Sequence, residues 1–151
     1  MFRCTDNAHE VLAAITDLDR QLADARRESV ARAVTAGAEE ARTNHRFQSR
    51  TGATVAGIQG HVLVATPAEV VGVLESAAET SIFLNDGTRP HEILPRNAKA
   101  LRFETEGKVV FATRAQHPGT APDPFFDHGV TRAEEVFFEE LDAAFDRICG
   151  E

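Results

Sequence analysis

From Asn7 to about Arg46 the apolar residues recur every three or four positions. Val11, Ile15, Leu18, Leu22 and Ala25 form a first run, and Val30, Val34, Ala38 and Ala41 continue it after a phase shift. That spacing lays them along one stripe of an α-helix, with arginines and acids on the other faces. Asn7 and Glu10 stand at capping-box spacing at its start. Gly37 weakens the interior and marks a place for a kink or break. The run is longer than a small domain covers, so part of its stripe is expected to pack on a neighbouring subunit.

After Ser49-Arg50-Thr51-Gly52 the period changes. Residues 58–66 and 69–75 are rich in Val and flank Pro67, which predicts two strands joined by a tight turn. Residues 77–85 read as a short helix with Ile82, Phe83 and Leu84 facing the sheet. Asn85-Asp86-Gly87-Thr88-Arg89-Pro90 is a turn cluster, and Ile93-Leu94-Pro95-Arg96 is extended because the residue before proline avoids helical angles. A second hairpin follows: Leu101, Phe103 and Thr105 alternate with Arg102 and Glu104, Glu106-Gly107 turns, and Val109, Phe111 and Thr113 alternate back. Gln116 to Pro124, with three prolines and one glycine, reads as a loop. Residues 131–148 return to helical spacing, with Phe137, Phe138, Leu141, Phe145 and Ile148 on one face and acids largely around it.

The order is that of an α+β fold: a long N-terminal helix, a mainly antiparallel four-stranded sheet from two hairpins, a short connecting helix and a C-terminal helix. With 151 residues the chain reads as one domain. Residues 1–48 form a helical arm, 58–115 the sheet and 131–149 the last helix.

Composition narrows the function. Ten Phe with neither Trp nor Tyr make aromatic content a matter of filling space. The net charge of -8 is uneven: residues 131–151 carry seven acids and two bases, whereas residues 1–50 carry eight of each. Such a balance opposes binding to a phosphate backbone, and so opposes a nucleic-acid-binding regulator. Cys4 and Cys149, near opposite ends, fit a reducing compartment. Met1-Phe2-Arg3 runs straight into polar residues and offers no export segment. No apolar run approaches the roughly 18 residues of a membrane span.

Catalytic chemistry finds little footing. His117, Asp123, Asp127 and His128 lie within one stretch, but without the recurring spacing of zinc sites. A small metal-dependent hydrolase built on His117, Asp123 and His128 is the enzyme alternative. No serine has a nucleophile elbow, no phosphate-binding loop occurs, and Glu139 and Glu140 are adjacent and diverge on a helix. Cys149 sits on an acidic helix end, a poor setting for a nucleophilic thiolate. No catalytic, cofactor-binding or metal-binding residue is therefore assigned, and the chain is read as a non-enzyme. Two other segments stand out: Gly87-Thr88-Arg89-Pro90-His91 and His117-Pro118-Gly119-Thr120. Each is either punctuation at a sheet end or a proline-stiffened loop that docks on another subunit with little loss of entropy.

These same segments carry a resemblance. Asn85-Asp86-Gly87-Thr88-Arg89-Pro90-His91, with Ile93 and Pro95, resembles the Gly-Thr…Pro-His-x-Ile-x-Pro signature of a siphophage minor tail component family. Lys99-Ala100-Leu101-Arg102-Phe103 resembles the strand that follows there. His117-Pro118-Gly119-Thr120, with Pro122, Pro124 and Phe125, resembles that family's second signature. Arg50-Thr51-Gly52 is similar to the Arg-Thr-Gly after its first helix. Order and gaps agree over roughly residues 45–126. Ser81-Ile82-Phe83-Leu84 departs from the family's Tyr-rich helix, and the acidic C-terminal helix is longer.

The resemblance implies a structural virion protein of the bacteriophage head–tail connector: a neck, tail-completion or head–tail joining subunit, with a tail terminator or minor tail protein as the alternative. It implies a homo-oligomeric ring, commonly six-fold and so hexameric in its family, that contacts neighbouring neck and tail proteins. DNA passes along the axis without sequence-specific binding, and no membrane is involved. The subunit is made in the host bacterial cytoplasm and ends in the virion. Gly87, Thr88, Arg89, Pro90, His91, His117, Pro118, Gly119 and Thr120 are the candidate interface loops. An acidic lumen that repels DNA and lets it slide is a further expectation.

Overall fold

Helix α1 runs unbroken from Ala8 to Thr43, and the expected weak point at Gly37 is a packing contact. The structure is a computed structural model that describes residues 7–49, 51–105 and 107–150. The remaining elements in chain order are α2 (Ala53–Ala56), β1 (Ile58–Ala65), β2 (Val70–Ser76), α3 (Thr80–Asn85), β3 (His91–Ile93), β4 (Leu101–Thr105), β5 (Lys108–Ala112), β6 (Ala115–His117) and α4 (Phe125–Cys149). The α+β class, the long first helix, both hairpins, the short helix and the last helix stand as the sequence predicts.

Several details differ. The Asn7 side chain makes no capping hydrogen bond. The hairpins do not merge into one four-stranded sheet: β1–β2, β3–β6 and β4–β5 are three separate two-stranded antiparallel ladders. Helix α4 begins at Phe125, six residues before the expected start. The chain divides into two compact units, residues 1–78 with 125–151, and residues 79–124.

In the first unit α1 is the platform. Gly37 faces Gly129 and Ala133, Arg32 reaches Glu140, and Gln21 to Glu28 line one cleft with Ala144 to Ile148. The two residue orders run oppositely, so α1 and α4 are antiparallel. The seam is built from small residues: Ser29, Ala33, Gly37, Ala38 and Ala41 of α1 are buried, as are Gly129 and Ala144 of α4. The β1–β2 hairpin lies on the same helix. A β-carbon at Gly60 would stand 2.0 Å from the Val34 carbonyl oxygen, and one at Gly72 would stand 2.5 Å from Val34 Cγ1. Only glycine lets strand backbone approach a helix this closely. Arg42 donates from Nε and Nη2 to the Ile58 carbonyl, pinning the hairpin's first residue to the end of α1. Phe125, fully buried, anchors the far end, edge-on to Phe47, which stacks on His45.

The second unit rests on backbone pairing more than on apolar packing. In α3 the buried residue is Ser81, while Ile82 and Phe83 are exposed, against the expectation that they face a sheet. The six-residue helix is fixed instead by its backbone: the Asp123 N–H donates to the carbonyls of Leu84 and Asn85.

Candidate assembly interface

The two glycine–threonine segments singled out in the sequence meet each other. Thr88 and Thr120 exchange backbone hydrogen bonds of 2.9 and 3.1 Å, and Thr88 Oγ1 accepts a further one from the Thr120 N–H. Gly87 and Gly119 both have positive φ, and a β-carbon on either would lie within 2.6 Å of the other segment's carbonyl oxygen. The ladder continues into β3 and β6, with His91 opposite His117 and the imidazoles stacked at 5.0 Å. Gln116 and His117, expected in a loop, are strand with Ala115 because this pairing satisfies their backbone groups.

The histidines play opposite roles. His91 Nδ1 donates to the Arg89 carbonyl at 2.9 Å, so that nitrogen carries a proton. His117 Nδ1 accepts the Gly119 N–H at 3.1 Å, so that nitrogen carries none. Among the nine candidate loop residues, Arg89, Pro90, His91 and Pro118 are exposed, and Gly87, Thr88, His117, Gly119 and Thr120 are half-buried. Intrachain pairing thus accounts for the small residues and leaves the basic side chain, one ring and the prolines on the surface. Among the described residues no group of three or more His, Cys, Asp or Glu is placed to hold a metal ion. No helix among them is long and apolar enough to cross a membrane.

The larger apolar stripes were legible in the sequence, but not which of their residues face outward. The buried apolar core of the described residues consists of Ala33, Val34, Ala38, Ala41, Ile58, Phe125, Val136 and Ala144, half of them alanine. Beyond Phe125 and Ile58, many large apolar side chains are exposed. On α4 the seam uses Phe125, Gly129, Val136 and Ala144, while Phe138 and Phe145, 61% and 45% exposed, point elsewhere with half-buried Phe137, Leu141 and Ile148 beside them. Phe138 and Phe145 are therefore turned away from α1, while Ile148 of the same stripe lines the cleft with it. On α1, Val11, Leu12, Ile15 and Leu18 are all exposed. They lie in the stretch before Gln21, where the cleft with the end of α4 begins.

The β4–β5 hairpin is apolar on both sides. Its register sets Leu101 opposite Ala112 and Phe103 opposite Val110, but Arg102 opposite Phe111 and Glu104 opposite Val109. Cross-strand partners share a face, so Phe111 and Val109 lie on the opposite side from Phe103. Phe103, Val109 and Phe111 are 40%, 46% and 67% exposed. A two-stranded hairpin alone is marginal in water, and one with exposed Phe on both faces gains most from a partner.

Comparison with protein-family models, with curated proteins and with solved structures finds no match for this chain.

Proposed function

We propose that this chain is a structural subunit of the bacteriophage head–tail connector, a neck or tail-completion protein that assembles into a homo-oligomeric ring around an axial DNA passage and ends in the virion. The observation that carries the reading is the inversion of side-chain size: small residues fill the core, and Leu12, Ile15, Phe103, Phe111, Phe138 and Phe145 face outward. A subunit of this kind completes its apolar contacts against neighbours. The resemblance over residues 45–126 supplies the kind of assembly. The meeting of its two signature segments in one ladder supports treating them as a single feature.

The test is genetic and visual. Disrupting the gene in a phage that carries it should leave filled heads and tails unjoined, and labelled copies should image as a ring at the junction. Tails of uncontrolled length in place of unjoined ones would move the subunit to the tail terminator. Infectious particles of normal form without the protein would remove the reading.

A further inference from the structure

We propose that one face of the β3–β6 ladder binds inorganic phosphate, held by Arg89, His91 and His117. The inference goes beyond the connector reading and does not depend on it.

The Thr88–Thr120 bridge and the β3–β6 ladder run in one register, so the rungs between them are Arg89–Gly119 and Pro90–Pro118. The close approach agrees: a β-carbon at Gly119 would stand 3.1 Å from the Arg89 carbonyl carbon and from the Pro90 nitrogen. Thr88 and Thr120 exchange both backbone hydrogen bonds. Such rungs alternate along an antiparallel pair, so the next is Pro90–Pro118. Neither proline has an N–H to give. Beside the two imidazoles the strands are therefore held by side chains alone.

Alternate rungs share a face. Arg89, His91 and His117 stand on one face with Ile93 and Ala115. Glu92 lies on the other, where Gln116 Nε2 donates to it at 3.4 Å. The first face thus carries no acid. Arg89 is exposed and pairs with no carboxylate among the described residues. Its rung partner Gly119 has no side chain, which leaves room beside the guanidinium. Both rings lean toward that rung, because His91 Nδ1 bonds the Arg89 carbonyl and His117 Nδ1 bonds the Gly119 N–H. The net charge of -8 belongs elsewhere: residues 1–78 with 125–151 hold eighteen acids and ten bases, whereas residues 79–124 hold six of each.

The tautomers select the ligand. His91 carries its proton on Nδ1, so its neutral ring offers a lone pair at Nε2. His117 accepts at Nδ1, so its neutral ring offers an N–H at Nε2. Arg89 adds donors only. The ring centroids are 5.0 Å apart, a separation that one small oxyanion spans through hydrogen bonds of about 2.8 Å. The ligand must accept from Arg89 and His117 and donate to His91. Hydrogen phosphate does both, because it keeps a P–OH beside its charged oxygens. Sulfate, a carboxylate and a phosphodiester hold no proton at neutral pH and would leave an anion facing the His91 lone pair. A metal ion needs lone pairs from both rings and is repelled by the guanidinium. Bound phosphate ties the two strands together across the proline rung.

Nuclear magnetic resonance on the full chain with nitrogen-labelled histidine tests the site. At about pH 8 an ordinary imidazole is neutral. Titration there with inorganic phosphate, at constant ionic strength, should move the His91 and His117 Nε2 signals to saturation and slow amide exchange at Thr88 and Thr120. Sulfate should bind roughly tenfold or more weakly, and so should a DNA duplex with unphosphorylated ends. Arg89→Gln, at an exposed position, and His91→Phe, which keeps a ring against His117, should each weaken phosphate binding by about tenfold or more. Both variants should melt with the unsubstituted chain in phosphate-free buffer. Sulfate or DNA binding as tightly as phosphate overturns the inference, for the face would then read charge alone. Shifts that rise without saturating overturn it too, as does undiminished binding by the two variants. The sulfate comparison uses the unsubstituted chain and so decides the matter even if a variant misfolds.

Discussion

Gly37 and Gly129 face each other across the α1–α4 crossing, so close that a β-carbon on Gly37 would stand 2.6 Å from the Gly129 carbonyl oxygen and one on Gly129 would stand 2.7 Å from that of Gly37. Helical glycine is ordinarily replaced by alanine with a gain of up to about 1 kcal/mol. Here the sign reverses. Gly37→Ala and Gly129→Ala should each destabilise the fold by about 1–3 kcal/mol, because the obstructing atom is backbone and the helices must part. Chemical denaturation of the two variants checks this, and a gain in stability for either contradicts the close crossing.

Gly60 and Gly72 give a sharper comparison, since both oppose Val34 in different ways. At Gly60 an added β-carbon meets the Val34 carbonyl; at Gly72 it meets the methyl groups of Val34 and Val30. Both alanine substitutions should destabilise. Adding Val34→Ala should relieve Gly72→Ala by part of its loss and should not relieve Gly60→Ala. A double-mutant cycle on each pair reads the coupling directly.

Gly119 and Gly107 share a positive φ but not a setting. A β-carbon at Gly119 would lie 2.3 Å from the Thr88 carbonyl oxygen, whereas at Gly107 nothing lies within 4 Å. Gly107→Ala should lose only the left-handed penalty of about 1–2 kcal/mol. Gly119→Ala should in addition break the Thr88–Thr120 bridge. Amide hydrogen exchange at Thr88 and Thr120 should accelerate in the second variant and stay unchanged in the first.

Phe125 and Phe138 should behave oppositely although both lie on α4. Phe125 is fully buried, and Phe125→Ala should cost about 3–5 kcal/mol of folding stability. Phe138 is 61% exposed, so Phe138→Ser should leave the melting temperature of the dilute protein nearly unchanged while weakening self-association. Paired thermal melts and sedimentation runs separate the two effects. Equal losses of stability would contradict the outward placement of Phe138.

Much of the fold was legible because periodicity is local. The stripe from Val11 to Ala41 gave α1 to within a few residues, and Val-rich runs around Pro67 gave the first hairpin. What escaped depended on distant partners. Residues 115–117 become strand only because 91–93 lie beside them, and no three-residue segment next to a proline announces that. The start of α4 was hidden by Pro124, which closes the expected loop, and by Gly129, which lowers helical propensity but lets α1 approach. The separation of the hairpins could not be read from their patterns, since pairing between them is a tertiary choice. The stripe of Phe137, Phe138, Leu141, Phe145 and Ile148 was found, but periodicity tells which residues share a face and not which face meets the core. The candidate loops were found through composition. Their meeting had a signal that went unused: two Gly-Thr pairs, each next to a proline and a histidine.

The tight seam between α1 and α4 has a consequence for chain length. Glycine meeting glycine leaves no latitude for sliding, so the seam acts as a clamp on one stretch of a rod. The stretch of α1 from Ala8 to Arg20 is carried at a fixed angle as a spoke of about 20 Å. Inserting one residue between Leu18 and Gln21 would swing that spoke by about 100° and advance it by about 1.5 Å, leaving the contacts from Gln21 onward in place. Inserting seven would return it nearly to its original heading. The number of residues before the clamp thus serves as a compass bearing for Val11, Leu12, Ile15 and Leu18.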